Sequence, residues 1–315
     1  MSERAVAEFG TGLLRTRITG HADGYRWLRQ PGAQAPLTRL PDPAALRTLD
    51  DLAHGVLRTD QPQALARGYA HTAPGHRSAA MALLQISDLP IGLLCRAVAD
   101  LGGLLRTLHE RPVAESLPPT APGLLRLRRW FDDGNHTGTR PARLHALLGE
   151  SWGSRRSILV CSWLDEVSAP MCPVHGAPGL AALVLPEQGD QVVLFAGADL
   201  ATGTPALDLG WLVGELAELA AFTTAGLAPL CGRLAELAME GYGTAAPGFH
   251  EAVSRAAVLR MVLHLHDYVA YVGWHPRVLE YGQSLAEFID TDGQALWNHL
   301  PRFCGGTAGS TQGAE

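Results

Sequence analysis

The chain contains no lysine: all 25 basic residues among its 315 are arginine. Any step that needs a compact ammonium charge must be met by a guanidinium, whose planar fork is not an equivalent replacement. Long apolar runs are also missing, and none reaches the roughly 20 residues that a membrane-spanning helix needs. The start, M-S-E-R-A-V-A-E-F-G, lacks the apolar core of a signal peptide. The expectation is a soluble, cytoplasmic protein with no membrane partner. There is no C-x-x-C pair. Cys95, Cys161, Cys172, Cys231 and Cys304 are scattered and read as free thiols in a reducing compartment. No glycine-rich phosphate loop opens the chain. Gly10-Thr11-Gly12 is followed by Leu13 and Leu14, lacks a third glycine at useful spacing, and reads as an ordinary turn. A net charge of −6 favours neither nucleic acid nor an anionic membrane.

What is present suits a globular protein of one large domain or two lobes, with 47% hydrophobic residues to build a core. The first thirty residues are mixed. A proline-rich stretch at 30–44 reads as loop, and Asp42-Pro43 opens a helix expected to run to Arg58. Residues 60–78 are turn-rich, and 78–86 form a candidate buried strand. Leu94, Val98, Leu101, Leu104, Leu105 and Leu108 make a helical stripe ending at His109. A charged, helical insertion covers 111–150. Residues 156–167 read as a buried strand or short helix. Leu183–Leu194 reads as a hairpin turning at Glu187-Gln188-Gly189-Asp190. Further helices follow Asp208 and fill 212–240 and 249–272, and Ser310 to Glu315 is a polar tail.

The stretch 174–212 contains V-H-G-A-P-G-L-A-A-L, the hairpin, F-A-G-A-D-L, then T-P-A-L-D-L-G-W-L. It resembles the active-site block of the aminoglycoside phosphotransferase family, in which H-G-D-x-x-x-x-N is followed by a hairpin, I-D-W-E, and G-D-P-x-x-D-L-A. The helix ending at His109 and the helices over 235–290 resemble the family's helical lobe. The resemblance implies that His175 and Gly176 shape the catalytic loop. It places Ala177 at the catalytic Asp, Ala182 at the metal-binding Asn, and Ala196 (or Gly197) at the second metal-binding Asp. Asp208 matches the helix-capping acid of the D-L-A motif, and Asp199 is a possible residual acid three residues beyond Ala196. The family's N-lobe lysine has no counterpart. Mg²⁺ takes near-octahedral oxygen ligation, and phosphoryl transfer depends on positioning and charge neutralisation. The resemblance therefore implies a degenerate member for which ATP and Mg²⁺ binding are not expected.

Other chemistry is thinly supported. Cys172-Pro-Val-His175 is a C-x-x-H unit, but zinc would need two more ligands. His264 and His266 point to different helix faces. Trp274, His275 and Tyr281 are placed either to pack or to line a pocket. Arg126, Arg128, Arg129, Trp130 and Phe131 form a basic-aromatic cluster that reads as a solvated helix face or as a partner- or substrate-binding surface, since Arg and Trp are favoured interface anchors.

The expected architecture is an α+β, two-lobed, protein-kinase-like fold. Residues 1–88 would form a reduced N-lobe with a small antiparallel sheet and a helix. Residues 89–315 would form a helical C-lobe carrying the degenerate loop 174–212. The function implied is a pseudokinase that binds a partner enzyme or peptide substrate. The arginine-only, alanine-rich composition suits an actinobacterium-like source, where divergent relatives occur in natural-product pathways such as thioamitide or class V lanthipeptide tailoring. The alternatives are a divergent phosphotransferase using Asp199 and Asp208, a kinase fold reused for other catalysis, or a small-molecule binding protein.

Overall fold

The computed structural model describes residues 5–22, 24–36, 40–85, 89–134, 139–222, 226–243 and 246–301. The expected polar tail and Cys304 lie outside these residues. The mixed opening segment forms three antiparallel strands, β1 (Ala5–Gly10), β2 (Leu14–His21) and β3 (Gly24–Pro31). Thr16 and Ile18 face inward on β2 while Arg15 and Arg17 face solvent, so the period-two pattern is there but diluted by polar residues.

Asp42 does open a helix: its side chain accepts the Ala44 N–H at 2.7 Å, with Pro43 in the first turn. That helix, α1 (Pro43–Leu46), is short and ends in one 3-10 turn at Arg47–Leu49. The expected continuation to Arg58 is not helical. Asp51 takes a positive φ of 54°, which a right-handed helix cannot contain. The chain instead forms β4 (Ala53–His54) and β5 (Leu57–Asp60). The turn-rich segment holds β6 (Gln63–Ala64), β7 (Tyr69–Ala73) and β8 (Arg77–Ser78). The candidate strand at 78–86 is helix α2 (Ala79–Gln85), whose entry is tied by Met81 N–H to Ser78 Oγ at 3.3 Å. A short apolar run is ambiguous between the two states, and its Ala, Leu and Met favour helix.

The helical part begins with α3 (Ile91–His109), α4 (Pro122–Asp133) and α5 (Arg140–Val167). The segment 156–167 is the second half of α5, beyond a kink at Gly153. Then come β9 (Cys172–Val174), β10 (Leu183–Leu185), β11 (Val192–Phe195), β12 (Ala201–Gly203), α6 (Pro205–Phe222), α7 (Ala228–Tyr242), α8 (Phe249–Tyr271) and α9 (Val278–Asp290). Helix α8 is buried on most sides. It lies against α6 because Gly210 and Gly214, one turn apart, leave no Cβ to collide with Ala256 and Ala257.

The first sheet has the order β1-β2-β3-β7-β6, and the second has the order β4-β5-β11-β10-β8. The second sheet draws strands from both sides of residue 88, with β5 parallel to β11 from Val192↔Leu57 to Phe195↔Asp60. A large core fills the helical part. A smaller one, made of Ile18, Trp27, Ala73, Val184, Val193 and Phe195, joins the first sheet to the β10–β11 hairpin. The overall arrangement is the expected α+β architecture, with an antiparallel sheet region first and helices after it.

Candidate functional site

The loop after β9 is held from below by one buried carboxylate. Asp208, in the first turn of α6, is fully buried. Its Oδ2 accepts the His175 N–H at 2.7 Å and His109 Nε2–H at 3.1 Å, and its Oδ1 accepts the Gly176 N–H at 2.8 Å. The chain extends outward, because the Tyr242 hydroxyl lies 3.1 Å from His109 Nδ1. Burial pushes the Tyr242 phenol up to about 12, so it stays a donor and fixes the His109 tautomer. Gly176 has a φ of +87°, and a Cβ there would collide with the Asp199 carbonyl. Asp208 thus dictates a tight loop whose next residue is Ala177.

His175 is also fixed. Its Nδ1 accepts the Ala177 N–H at 3.3 Å, so its Nε2 carries the proton donated to the Phe195 carbonyl at 3.0 Å. Phe195 N–H in turn donates to the Ala182 carbonyl at 2.9 Å, and Ala196 N–H donates to the Asp60 carbonyl at 3.1 Å. These bonds tie the loop at Ala177 to Phe195, whose amide reaches Ala182 and which Ala196 follows in the chain. The methyl groups of Ala177, Ala182 and Ala196 offer no oxygen to a cation and no base to a hydroxyl. Ala196 is buried, and Ala177 and Ala182 are half-buried. Asp199 is half-buried, and its charge acts on Arg126 and Tyr69.

The space between the first sheet and the hairpin is filled by side chains absent from the expected set. Trp27 is 1% exposed and donates its indole N–H to the Gly75 carbonyl at 3.0 Å. Its ring meets Phe195 edge-on at 5.3 Å, and His71 stacks on Phe195 at 4.3 Å. His71 Nδ1 lies 2.9 Å from Asp60, yet burial still lowers its pKa. Arg29, two residues after Trp27 on β3, sits over the Phe195 ring at 5.2 Å. It reaches the Ala181 carbonyl at 3.4 Å, and its Nε is buried without a hydrogen-bond partner. Period-two alternation through Tyr25, Trp27 and Arg29 was the available signal for these residues.

The β1–β2 turn is fully engaged. Thr11 N–H donates to the Leu14 carbonyl at 2.9 Å and Gly12 N–H to the Tyr271 carbonyl at 2.8 Å. Leu13 and Leu14 N–H groups donate to Thr11 Oγ1 at 3.1 and 3.4 Å. A cradle for phosphate needs several such amides free at once.

The basic-aromatic cluster on α4 is divided. Arg126 is paired with Asp267 at 2.7 Å, Arg128 with Asp165, and Trp130 is in the core with its indole N–H on the Pro141 carbonyl at 3.0 Å. Arg129 is exposed, and Phe131 lines a cavity of about 490 Å³ with Trp152 and Ile158. Trp274 packs under Arg143, 4.5 Å from its guanidinium, while His275 and Tyr281 line another cavity. Burial pushes the Cys172 thiol up to about 12, which makes it unreactive beside His175. Among the described residues, no group of three or more His, Cys, Asp or Glu is placed to hold a metal ion. No described helix is long and apolar enough to cross a membrane.

No protein-family model matches the chain, and no curated protein does. Solved structures do match. The GDP and kanamycin complex of APH(2")-IIia aligns over 93% of this chain and 94% of its own, with 15% identity and a TM-score of 0.52. Plasmodium vivax ethanolamine kinase aligns over 91% and 82%, with 10% identity and a TM-score of 0.55. Amicoumacin kinase hAmiN, in complex with AMP-PNP, Ca²⁺ and Ami, aligns over 90% and 87%, with 11% identity and a TM-score of 0.56. At such identities the likeness concerns the fold. The chain has an aminoglycoside-phosphotransferase-like kinase fold.

Proposed function

We propose that this protein is a pseudokinase: a kinase-like scaffold without phosphoryl transfer that serves as a binding subunit for a partner enzyme or a peptide substrate. The observation that carries the reading is the loop itself. Asp208 holds the loop that carries Ala177, and the resemblance puts Ala177, Ala182 and Ala196 at the positions of a base and of metal-binding oxygens. Magnesium and nucleotide do not fit the residues present. Asp208 spends both oxygens on N–H donors, Trp27 fills the space between sheet and hairpin, and the β1–β2 amides are committed. The composition and resemblance favour peptide tailoring in natural-product assembly as the setting.

The test is a titration of the full chain with ATP and Mg²⁺, read by thermal shift and by calorimetry. No shift and no heat are expected. A rise of several degrees, as mass action gives at saturating ligand, overturns the reading. A second reading, residual phosphotransfer through Asp199, draws on its half-buried position beside Arg126 and Tyr69. Under that reading ATP hydrolysis would be measurable and would fall in Asp199→Asn.

A further inference from the structure

A cavity of about 460 Å³ opens between α6, α8 and the start of α9. Its walls are mostly apolar, with the rings of Phe222, Tyr268 and Tyr281 and the side chain of Val278, while Glu218 and His264 supply polar groups. Volume and lining of this kind suit a small molecule. Phe222 remains 39% exposed, which is unusual for so large an apolar ring beside a cavity.

The polar groups are arranged in a definite order. Glu218 Oε1 accepts from His264 Nδ1 at 2.5 Å and from the Tyr281 hydroxyl at 2.7 Å, while Oε2 is paired with Arg260. Burial alone would raise the Glu218 carboxyl, but Arg260, aided by His264 and Tyr281, holds it at about 2. Next to this carboxylate, His264 Nδ1–H is the donor, which leaves Nε2 to hydrogen-bond a ligand. His264 is about half-exposed, and among the described residues no partner is seen at Nε2.

Charge decides the ligand class. The one buried carboxylate in the wall is already neutralised by Arg260 and saturated with donors. Arg277 and Glu280 at the wall pair with each other at 3.4 Å. A ligand of either charge finds Glu218, Arg260, Arg277 and Glu280 already paired with one another, and would lose hydration without return. We propose that this cavity is a binding site for a small, uncharged, planar aromatic molecule bearing one hydroxyl. That hydroxyl hydrogen-bonds His264 Nε2 while the ring lies among Phe222, Tyr268 and Tyr281. The site does not depend on the kinase reading. It is tied to the loop nonetheless: the field of Arg260 acts on Glu215 as well as Glu218, and Glu215 accepts the Leu180 N–H at 2.8 Å.

The experiment titrates the full chain with 2-naphthol, 2-naphthoate and 2-naphthylmethylammonium, followed by ligand-observed NMR. Saturable binding of 2-naphthol is expected, at least about tenfold tighter than either charged analogue. His264→Phe should weaken it about tenfold, and Ser284→Trp, which fills the cavity, should abolish it. No saturable 2-naphthol binding up to about 1 mM overturns the proposal. So does equal or tighter binding of a charged analogue, or unchanged binding in His264→Phe. If Ser284→Trp fails to fold by circular dichroism, the half-exposed His264→Phe variant decides alone.

Discussion

The indole N–H of Trp27 donates to the Gly75 carbonyl at 3.0 Å. Trp27 lies on β3, and Gly75 lies in the turn between β7 and β8. The same ring packs on Phe195 at the end of β11. One side chain therefore fastens the first sheet, the connection out of it and the hairpin that follows the Ala177 loop.

Trp27 should accordingly be among the costlier positions to change. Trp27→Phe keeps most of the apolar volume but leaves the Gly75 carbonyl without its donor, a loss of about 1–3 kcal/mol. Trp27→Ala removes the ring and should cost about 3–5 kcal/mol. Urea unfolding monitored by circular dichroism measures both. On the pseudokinase reading proposed above, Trp27→Ala gives no phosphoryl transfer, because widening the space adds neither a base nor a metal ligand. Activity appearing in that variant would show that the ring, not the alanines, is what blocks the reaction.

Asp208 should act on the loop more than on the rest of the fold. Asp208→Asn keeps the size but turns one acceptor oxygen into an amide NH2 facing N–H donors. It should cost about 1–3 kcal/mol. The more specific consequence is faster hydrogen exchange at the His175 and Gly176 amides, whose acceptors are Asp208 Oδ2 and Oδ1. Equal exchange in the variant would mean that the loop holds its shape without the carboxylate.

The helical part of this chain was legible because its apolar residues recur at helical spacing. Leu94 through Leu108 sit on the buried face of α3, and the hairpin at 183–194 pairs as its turn residues suggested. The sheet region was not legible for identifiable reasons. In β2, Arg15 and Arg17 face outward and two of the three buried residues are threonines, while Trp27 is the only buried residue of β3, so the strands lack apolar weight. After α1, Asp51 and pairing of β5 with distant β11 override local helix preference. The roles of the loop alanines are legible only as what the motif spacing of the resemblance implies. Trp27 and Arg29 belong to no motif, and only the folded sheet brings them to Phe195.

Ala196 and Ala177 should differ sharply when an acid is introduced. Ala196 is 2% exposed and follows the buried Phe195. An aspartate there would bury an unpaired charge, and Ala196→Asp should lose about 3–5 kcal/mol. Ala177 is half-buried at the mouth of the loop, and Ala177→Asp should change stability by less than about 1 kcal/mol. Thermal unfolding of the two variants makes the comparison. Equal tolerance would mean that the Ala196 site can open and that the loop retains room for a metal ligand.

Glu218 ties stability to acid pH. Its carboxyl sits near 2 in the folded protein against an ordinary 4.5, because Arg260, His264 and Tyr281 outweigh the effect of burial. A depressed value means that the folded state holds the proton less tightly than the unfolded chain. The contribution is therefore complete above about pH 5 and is lost as the pH falls from there towards about 2, to a total of the order of 3 kcal/mol. Glu215 runs the other way, since burial raises its carboxyl and Arg260 only partly opposes this. The clean measurement is thus a difference between the protein and Glu218→Gln in urea unfolding at pH 6 and at pH 3. The variant should be destabilised by about 3–5 kcal/mol at the higher pH, because Arg260 loses its partner, and by clearly less at the lower. A pH-independent gap would show that Glu218 titrates alike in the folded and unfolded protein; a gap that widens at pH 3 would show that Glu218 is neutral in the folded protein, and the cavity would then be lined by a protonated acid rather than by a neutralised ion pair.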